Sequence, residues 1–193
     1  MRGALFSLAL LASVAVVTTV GYWGKHGRPS SPREAAAPTA PPASNAVEGP
    51  YFSDRDRIAA PILTALEQTT RSLDIAMYSM TDRRIEAAIV AAARRGVRVR
   101  MVADAGQAYE QHSEIPYLRL AGIEVRLSGG YRGQHSIMHD KFAVFDDRLV
   151  ETGSFNWTIS GEDYNYENAI FLADPTVVAR YEHEFNRIWS RAE

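Results

Sequence analysis

The chain has 193 residues, room for one ordinary domain and an appendage, and a 46% apolar composition is enough for a real core. It has no cysteine, which excludes disulfides and thiolate metal sites. The formal charge is -2; residues 1–50 hold four basic and two acidic side chains, which leaves residues 51–193 with 17 basic against 21 acidic. That balance speaks against a protein that coats nucleic acid, although a local basic cleft remains compatible with it.

Residues 1–24 run without a charge from Ala4 to Val20 and end in Gly21-Tyr22-Trp23-Gly24 ahead of Lys25. At ~1.5 Å per residue a helix of this length approaches the ~30 Å hydrocarbon core, and Tyr22 and Trp23 suit the interface. A membrane anchor is favoured over a cleaved signal peptide, since no small-x-small site follows the apolar run. Either reading makes the domain membrane-anchored or secreted, and periplasmic in a bacterium. Basic residues flank both ends, so the positive-inside count leaves the facing side open. Residues 25–50 are rich in Pro and Ala and read as an extended linker. The domain proper is expected over residues 51–193.

From Ser53 the pattern becomes helical. Ser53 can cap, Asp54 and Asp56 suit a first turn, and Ile58, Ile62, Leu63 and Leu66 recur at helical spacing, with Pro61 as a blemish. Residues 72–78 read as a strand through Leu73, Ile75 and Met77. A helix starting at Thr81 or Asp82 carries Ile85, Ile89 and Ala92 and closes at Gly96. Residues 97–103 form the next strand, with Val97, Val99 and Met101 on one face and Arg98 and Arg100 on the other. Strand, helix and strand in this order predict a right-handed parallel unit.

A short helix over residues 115–120 and a strand over 123–127 follow, and then a glycine-rich loop, 128–134. Tyr131 and Arg132 in that loop are candidates for touching substrate. Residues 158–163 read as a polar connection, and residues 164–172 as a strand carrying Glu167. Asp174-Pro175 is a strong helix start. Val178, Tyr181, Phe185, Ile188 and Trp189 then form one inward-facing stripe.

The chemistry concentrates between these elements, in His139-Asp140-Lys141-Phe142-Ala143-Val144-Phe145-Asp146 and Gly153-Ser154-Phe155-Asn156-Trp157. Strand alternation puts His139 and Lys141 on one face and Phe142 and Val144 on the other. Ser154 and Asn156 repeat that spacing. A hairpin of residues 138–145 and 149–157, turning at Asp147-Arg148, would set His139 opposite Asn156 and Lys141 opposite Ser154. A nucleophile, a cation and hydrogen-bonding groups would then meet on one patch suited to an oxyanion such as a phosphodiester. Lys141 is the one lysine in residues 51–193. The other histidines carry no such company: His26, His112 and His183 read as incidental, and His135 as a non-participant.

The pattern His139-x-Lys141-x4-Asp146 with Gly153-Ser154-x-Asn156 resembles the HKD motif of the phospholipase D superfamily. Because it occurs once, the chain is similar to the single-motif members, the Nuc-type endonucleases and the mitochondrial cardiolipin hydrolase/Zucchini relatives. Residues 75–82 and 95–100 resemble the first half of the same domain. The resemblance covers residues 51–193. It implies an α/β fold with a mixed, mostly parallel sheet flanked by helices on both faces.

It also implies a two-step hydrolysis through phosphohistidine with no cofactor and no metal. His139 would be nucleophile or acid, Lys141 and Asn156 would bind phosphate, and Ser154 would add a hydrogen bond. Glu167 would orient the histidine, and Asp146 would be the motif aspartate, a structural or orienting acceptor. Two imidazoles in different protonation states are needed, and an ordinary imidazole titrates near ~6.5. One motif per chain therefore implies a homodimer that shares its site across a twofold axis.

Nucleic acid with little sequence specificity is the favoured substrate. Arginines at 83, 84, 94, 95, 98, 100 and 132 are available to contact a backbone. Membrane phospholipid is the alternative, favoured by the anchor, and a catalytically silent membrane-anchored nucleic-acid-binding module is the reading from another class.

Overall fold

The computed structural model describes residues 47–133 and 135–193, so the expected anchor and most of the linker lie outside the described residues. The elements in chain order are β1 (Val47–Phe52), α1 (Ala59–Gln68), β2 (Ser72–Met77), α2 (Arg83–Arg94), β3 (Arg98–Asp104), α3 (Ile115–Leu120), β4 (Glu124–Ser128), β5 (Lys141–Phe145), β6 (Leu149–Gly153), α4 (Ile159–Asp163), β7 (Asn168–Leu172) and α5 (Pro175–Trp189). The seven strands form one sheet in the order β1-β7-β6-β5-β2-β3-β4. The sheet is mixed, as expected, but the expected parallel majority is corrected. Two neighbouring pairs, β2–β3 and β3–β4, are parallel, and the other four are antiparallel. The hairpin-linked half of the chain outweighs the βαβ half.

Every residue of β2 is buried, because the strand is central and both faces are covered. Leu73, Ile75 and Met77 face a core built with Ile62 and Leu66 of α1 and Ile85 and Ile89 of α2. Ala76, with Phe142, Val144 and Val150, faces a second core closed by Val178, Phe185, Ile188 and Trp189 of α5. The expected stripe on the last helix therefore packs inward. Asp74 lies on this second face and is held by Arg98 (3.2 Å) and by two bonds from Arg100 (2.9 and 2.6 Å). The Arg100 guanidinium also lies 4.9 Å from the Phe185 ring centroid.

Local signals place several boundaries well. Gly96 sits at φ 95°, the left-handed C′ position that ends α2. Asp174 accepts from the N–H groups of Thr176 (2.9 Å) and Val177 (3.0 Å) as the cap of α5. Other boundaries move. α1 begins at Ala59 and not near Ser53, which puts Pro61 in the first turn, where its missing N–H leaves no bond unmade. Ser53 instead bonds the Asn165 carbonyl (2.6 Å) and the Glu167 N–H (2.9 Å). The linker's last residues are ordered as β1 against β7. The polar connection is α4, capped by Thr158 on the Gly161 N–H (3.0 Å), and β7 starts at Asn168.

The hairpin register also differs from expectation. Phe142 pairs with Thr152 and Phe145 with Leu149, around a three-residue turn of Asp146, Asp147 and Arg148. The expected pairs His139–Asn156 and Lys141–Ser154 do not form, since β5 starts at Lys141 and β6 ends at Gly153. Asp146 is drawn out of the ladder by bonds to the chain just before β2. Its carboxylate accepts from the N–H groups of Thr70 (3.0 Å), Arg71 (2.7 Å) and Ser72 (3.1 Å), and its own N–H donates to the Ser72 carbonyl (2.8 Å). Among the described residues no helix is long and apolar enough to cross a membrane.

Candidate active site

β5 runs antiparallel to β2 and β6, and β6 antiparallel to β7, so the end of β2, the start of β5, the end of β6 and the start of β7 share one edge of the sheet. That edge carries Tyr78, His139, Lys141, Ser154, Asn156 and Glu167. His139 is exposed and its ring lies edge-on to Tyr78, with centroids 4.7 Å apart at 66°. The Lys141 ammonium sits 5.1 Å from the centroid of the same tyrosine ring and donates to the His139 carbonyl (2.8 Å). One aromatic ring thus contacts both groups that the sequence singles out.

Lys141 is only 9% exposed. Burial pushes its ammonium below the ordinary lysine range, with Glu167 and Asp140 pulling the other way. One of its three N–H donors is committed to the His139 carbonyl, leaving two for an oxyanion.

Gly153 ends β6 where a Cβ would lie 2.1 Å from the Asn168 carbonyl oxygen, so only glycine allows this approach of β6 to β7. The approach brings Ser154 onto Glu167 at 2.5 Å, and Ser154 also accepts from the Asn168 N–H (3.1 Å). Asn165 donates to the other oxygen of Glu167 (3.3 Å). Glu167 therefore takes its hydrogen bonds from Ser154 and Asn165, and not from the His139 ring as the resemblance implies. Asn156 is half-buried, and among the described residues its Oδ1 is buried without a partner. Trp157 behind it is core, and its carbonyl accepts from Thr81 (2.9 Å) and Asp82 (3.1 Å), fastening the Ser154–Asn156 segment to the start of α2.

Two expected residues lie elsewhere. Asp146 is at the far end of β5, beyond ~13 Å of strand rise from Lys141. Burial alone would raise its carboxyl, but the backbone N–H groups of Arg71, Ser72 and Thr70 hold it below the usual carboxylate range. Arg132 is exposed in its loop, tied by its backbone N–H to Ser136 Oγ (3.3 Å). From that loop Ser128, Gly130 and Tyr131, with Ile137 beyond it, line a hollow of about 320 Å3 that His139 and Asp140 also border.

The main cleft, about 890 Å3, runs from His139 and Lys141 past Thr152 and Gly153 to Arg180, Tyr181, His183 and Glu184 of α5. Tyr181 packs on Phe142 (5.0 Å between centroids) and its hydroxyl reaches Thr152 (3.3 Å). Sequence reasoning missed Tyr78, Arg180 and Tyr181 as site residues, and His183, read as incidental, stands in the wall of this cleft. Helical periodicity shows that Tyr181 faces the sheet, but not which strands it meets. Burial raises the Asp140 carboxyl in the same wall, helped by Glu184 and opposed by Lys141. Among the described residues no three His, Asp or Glu side chains converge as a metal-binding group.

Residues 62–189 match the family described as cardiolipin synthase, PLD-like domain. Proteins named mitochondrial cardiolipin hydrolase are similar to this chain. The one from Chlamydomonas reinhardtii is 39% identical over 127 residues, 66% of this chain and 55% of its own length. The one from Homo sapiens is 36% identical over 130 residues, 67% of this chain and 50% of its own length. The match thus spans about half the length of these relatives. Among solved structures, Nuc from Salmonella typhimurium, a phospholipase D family member, superposes with a TM-score of 0.70 at 29% identity, covering 77% of this chain and 96% of its own. NucT from Helicobacter pylori gives 0.70 at 25%, covering 76% and 98%. With His139 and Lys141 on one sheet edge and a family match across most of the described domain, the chain belongs to the phospholipase D-like family.

Proposed function

We propose that this protein is a phosphodiesterase that works through a phosphohistidine on His139. The observation that carries this reading is the joint seating of the His139 imidazole and the Lys141 ammonium on Tyr78 at the mouth of the cleft. A ring nitrogen of His139 attacks phosphorus and the bond to the leaving oxygen breaks, while a second imidazole gives that oxygen a proton. Water then cleaves the phosphorus–nitrogen bond and returns a proton to the second imidazole. Lys141 and the amide of Asn156 hold the non-bridging oxygens, where negative charge grows. Ser154 and Glu167 brace the neighbouring strand end.

The second imidazole comes from His139 of another copy across a twofold axis. Sedimentation of the full chain in detergent should show a dimer. A fully active monomer would overturn the shared site and pass the acid role to His183, which lines the same cleft.

Single-stranded nucleic acid is the favoured substrate. Tyr131, Tyr164 and Tyr166, exposed at 80%, 82% and 88%, stand on loops at the site's edge of the sheet, where bases can stack. The arginines that were expected to help are mostly committed. Arg83 is paired with Glu114, Arg84 with Asp82, Arg98 and Arg100 with Asp74, and Arg95 with the carbonyls of Leu66, Glu67 and Thr69. Cardiolipin is the second reading, supported by the names of the relatives and by the apolar segment at residues 1–24, which would hold the domain at a membrane.

The test is one panel in EDTA: single-stranded DNA, duplex DNA, RNA, cardiolipin and phosphatidylcholine, with His139→Ala as control. Cleavage of a polynucleotide supports the first reading, and release of phosphatidic acid from cardiolipin alone supports the second. A His139→Ala protein that retained its biological activity would point instead to a silent binding module.

A further inference from the structure

Of the residues already assigned to the site, His139 and Lys141 line the main cleft, and α5 forms the wall that faces them. We propose that the cleft is a two-phosphate site, in which His139 and Lys141 hold the phosphodiester that reacts and Arg180, with His183, holds a second phosphate of the same molecule. This rests on the phosphodiesterase reading and narrows its substrate to molecules carrying two linked phosphates.

Size is the first reason. A cleft of about 890 Å3 lies in the upper part of the ~300–1,000 Å3 range of small-molecule sites, so a lone phosphodiester at His139 would leave most of it empty. Charge is the second. Arg180 and His183 are three residues apart on α5, so they share a face, and both are exposed in the wall of the cleft. Neither enters an ion pair or a hydrogen bond among the described residues, whereas Arg83, Arg84, Arg98, Arg100 and Arg187 are all paired with carboxylates.

The acidic neighbours do not cancel this. Glu184, in the same wall, is engaged by Arg187, which holds its carboxyl below the usual range. Asp140 adjoins His139 and Lys141, and the Lys141 ammonium offsets its charge. A guanidinium free of partners presents a planar fork that fits two phosphate oxygens, and an exposed imidazole one helical turn away adds a donor when protonated. The shared chemistry is a pair of phosphates joined by a short linker. Successive nucleotides of a single strand provide it, and so do the two phosphatidyl groups of cardiolipin.

The test compares matched substrates on the full chain: thymidine dinucleotide (one phosphodiester) against trinucleotide (two), and phosphatidylglycerol (one) against cardiolipin (two) in mixed micelles. Bis(p-nitrophenyl) phosphate serves as a minimal diester. In whichever pair is turned over, the two-phosphate member should have a kcat/KM about tenfold higher, beyond the twofold of having two cleavable bonds, with the gain in KM. Arg180→Ala should collapse that ratio to about two, His183→Ala should reduce it, and Arg180→Lys should restore part of it. Binding to His139→Ala protein, measured by calorimetry without turnover, should show the same preference.

Equal kcat/KM for both members, or a preference that survives Arg180→Ala, overturns the two-phosphate site while leaving the phosphodiesterase reading intact. Failure to hydrolyse any of the five compounds overturns that reading, and this inference with it.

Discussion

The ring of Tyr78 meets the ring of His139 edge-on at 4.7 Å and also underlies the ammonium of Lys141. Aromatic pairs of this geometry contribute ~0.5–1.5 kcal/mol and a cation over a ring ~0.5–2 kcal/mol. Replacing the ring by an aliphatic side chain should therefore loosen both groups. Tyr78→Leu should lower kcat about tenfold or more, and Tyr78→Phe, which keeps the ring, should stay within about threefold of the parent. Steady-state kinetics on the preferred substrate checks this, and equal losses for the two variants would assign the effect to the hydroxyl instead.

His139 and Lys141 should separate cleanly in a quenched reaction. With a radiolabelled substrate, the wild type and Lys141→Met should both form a covalent adduct that survives alkali and is lost in acid, the stability expected of a phosphoramidate. In Lys141→Met it should form at least ~100-fold more slowly, because the donors that stabilise the oxyanion are missing. His139→Ala should form none. An adduct in His139→Ala would move the nucleophile elsewhere.

Asp146 is placed to stabilise the fold rather than to touch phosphate. Asp146→Ala should cost about 2–4 kcal/mol, because the N–H groups of Thr70, Arg71 and Ser72, the last of them buried, lose one charged acceptor. Its folded-state carboxyl lies below the unfolded value of ~3.9, so the stabilisation is complete above that pH and is lost as pH falls through the folded value. Chemical denaturation from pH 3 to 7 should show a shallower acid limb for Asp146→Asn. An unaltered stability with abolished turnover would return Asp146 to the chemistry.

Glu151 gives the opposite slope. It is fully enclosed in β6, burial pushes its carboxyl up to about 8, and the Trp157 indole beside it pulls weakly the other way. A carboxyl raised on folding favours the native state most below its unfolded value of ~4.5, and that contribution is lost as pH rises toward 8. Glu151→Gln should therefore be more stable than the parent at pH 8 and flatten the profile by about 1 kcal/mol per pH unit over this window. Thermal melts at pH 5 and 8 test it; parallel profiles for parent and variant would mean that Glu151 titrates normally.

What the sequence determined by itself was local. Alternation put Phe142 and Val144 on one face of β5 and set them apart from His139 and Lys141. A cap and a proline marked the start of α5, and Gly96 the end of α2. Each of these follows from residues a few positions apart, which periodicity and capping chemistry read directly. The tertiary structure decided the rest, because the responsible contacts join distant segments. The Asp146 carboxylate binds backbone some 76 residues away at Thr70, and so lengthens the hairpin turn and shifts its register by one. Tyr78 reaches His139 because β2 lies beside β5, and Arg180 and His183 face the cleft because α5 crosses β5 and β6. Side chains such as these carry no local mark of what they will meet; only the strand order and the packing of α5 bring them to the site.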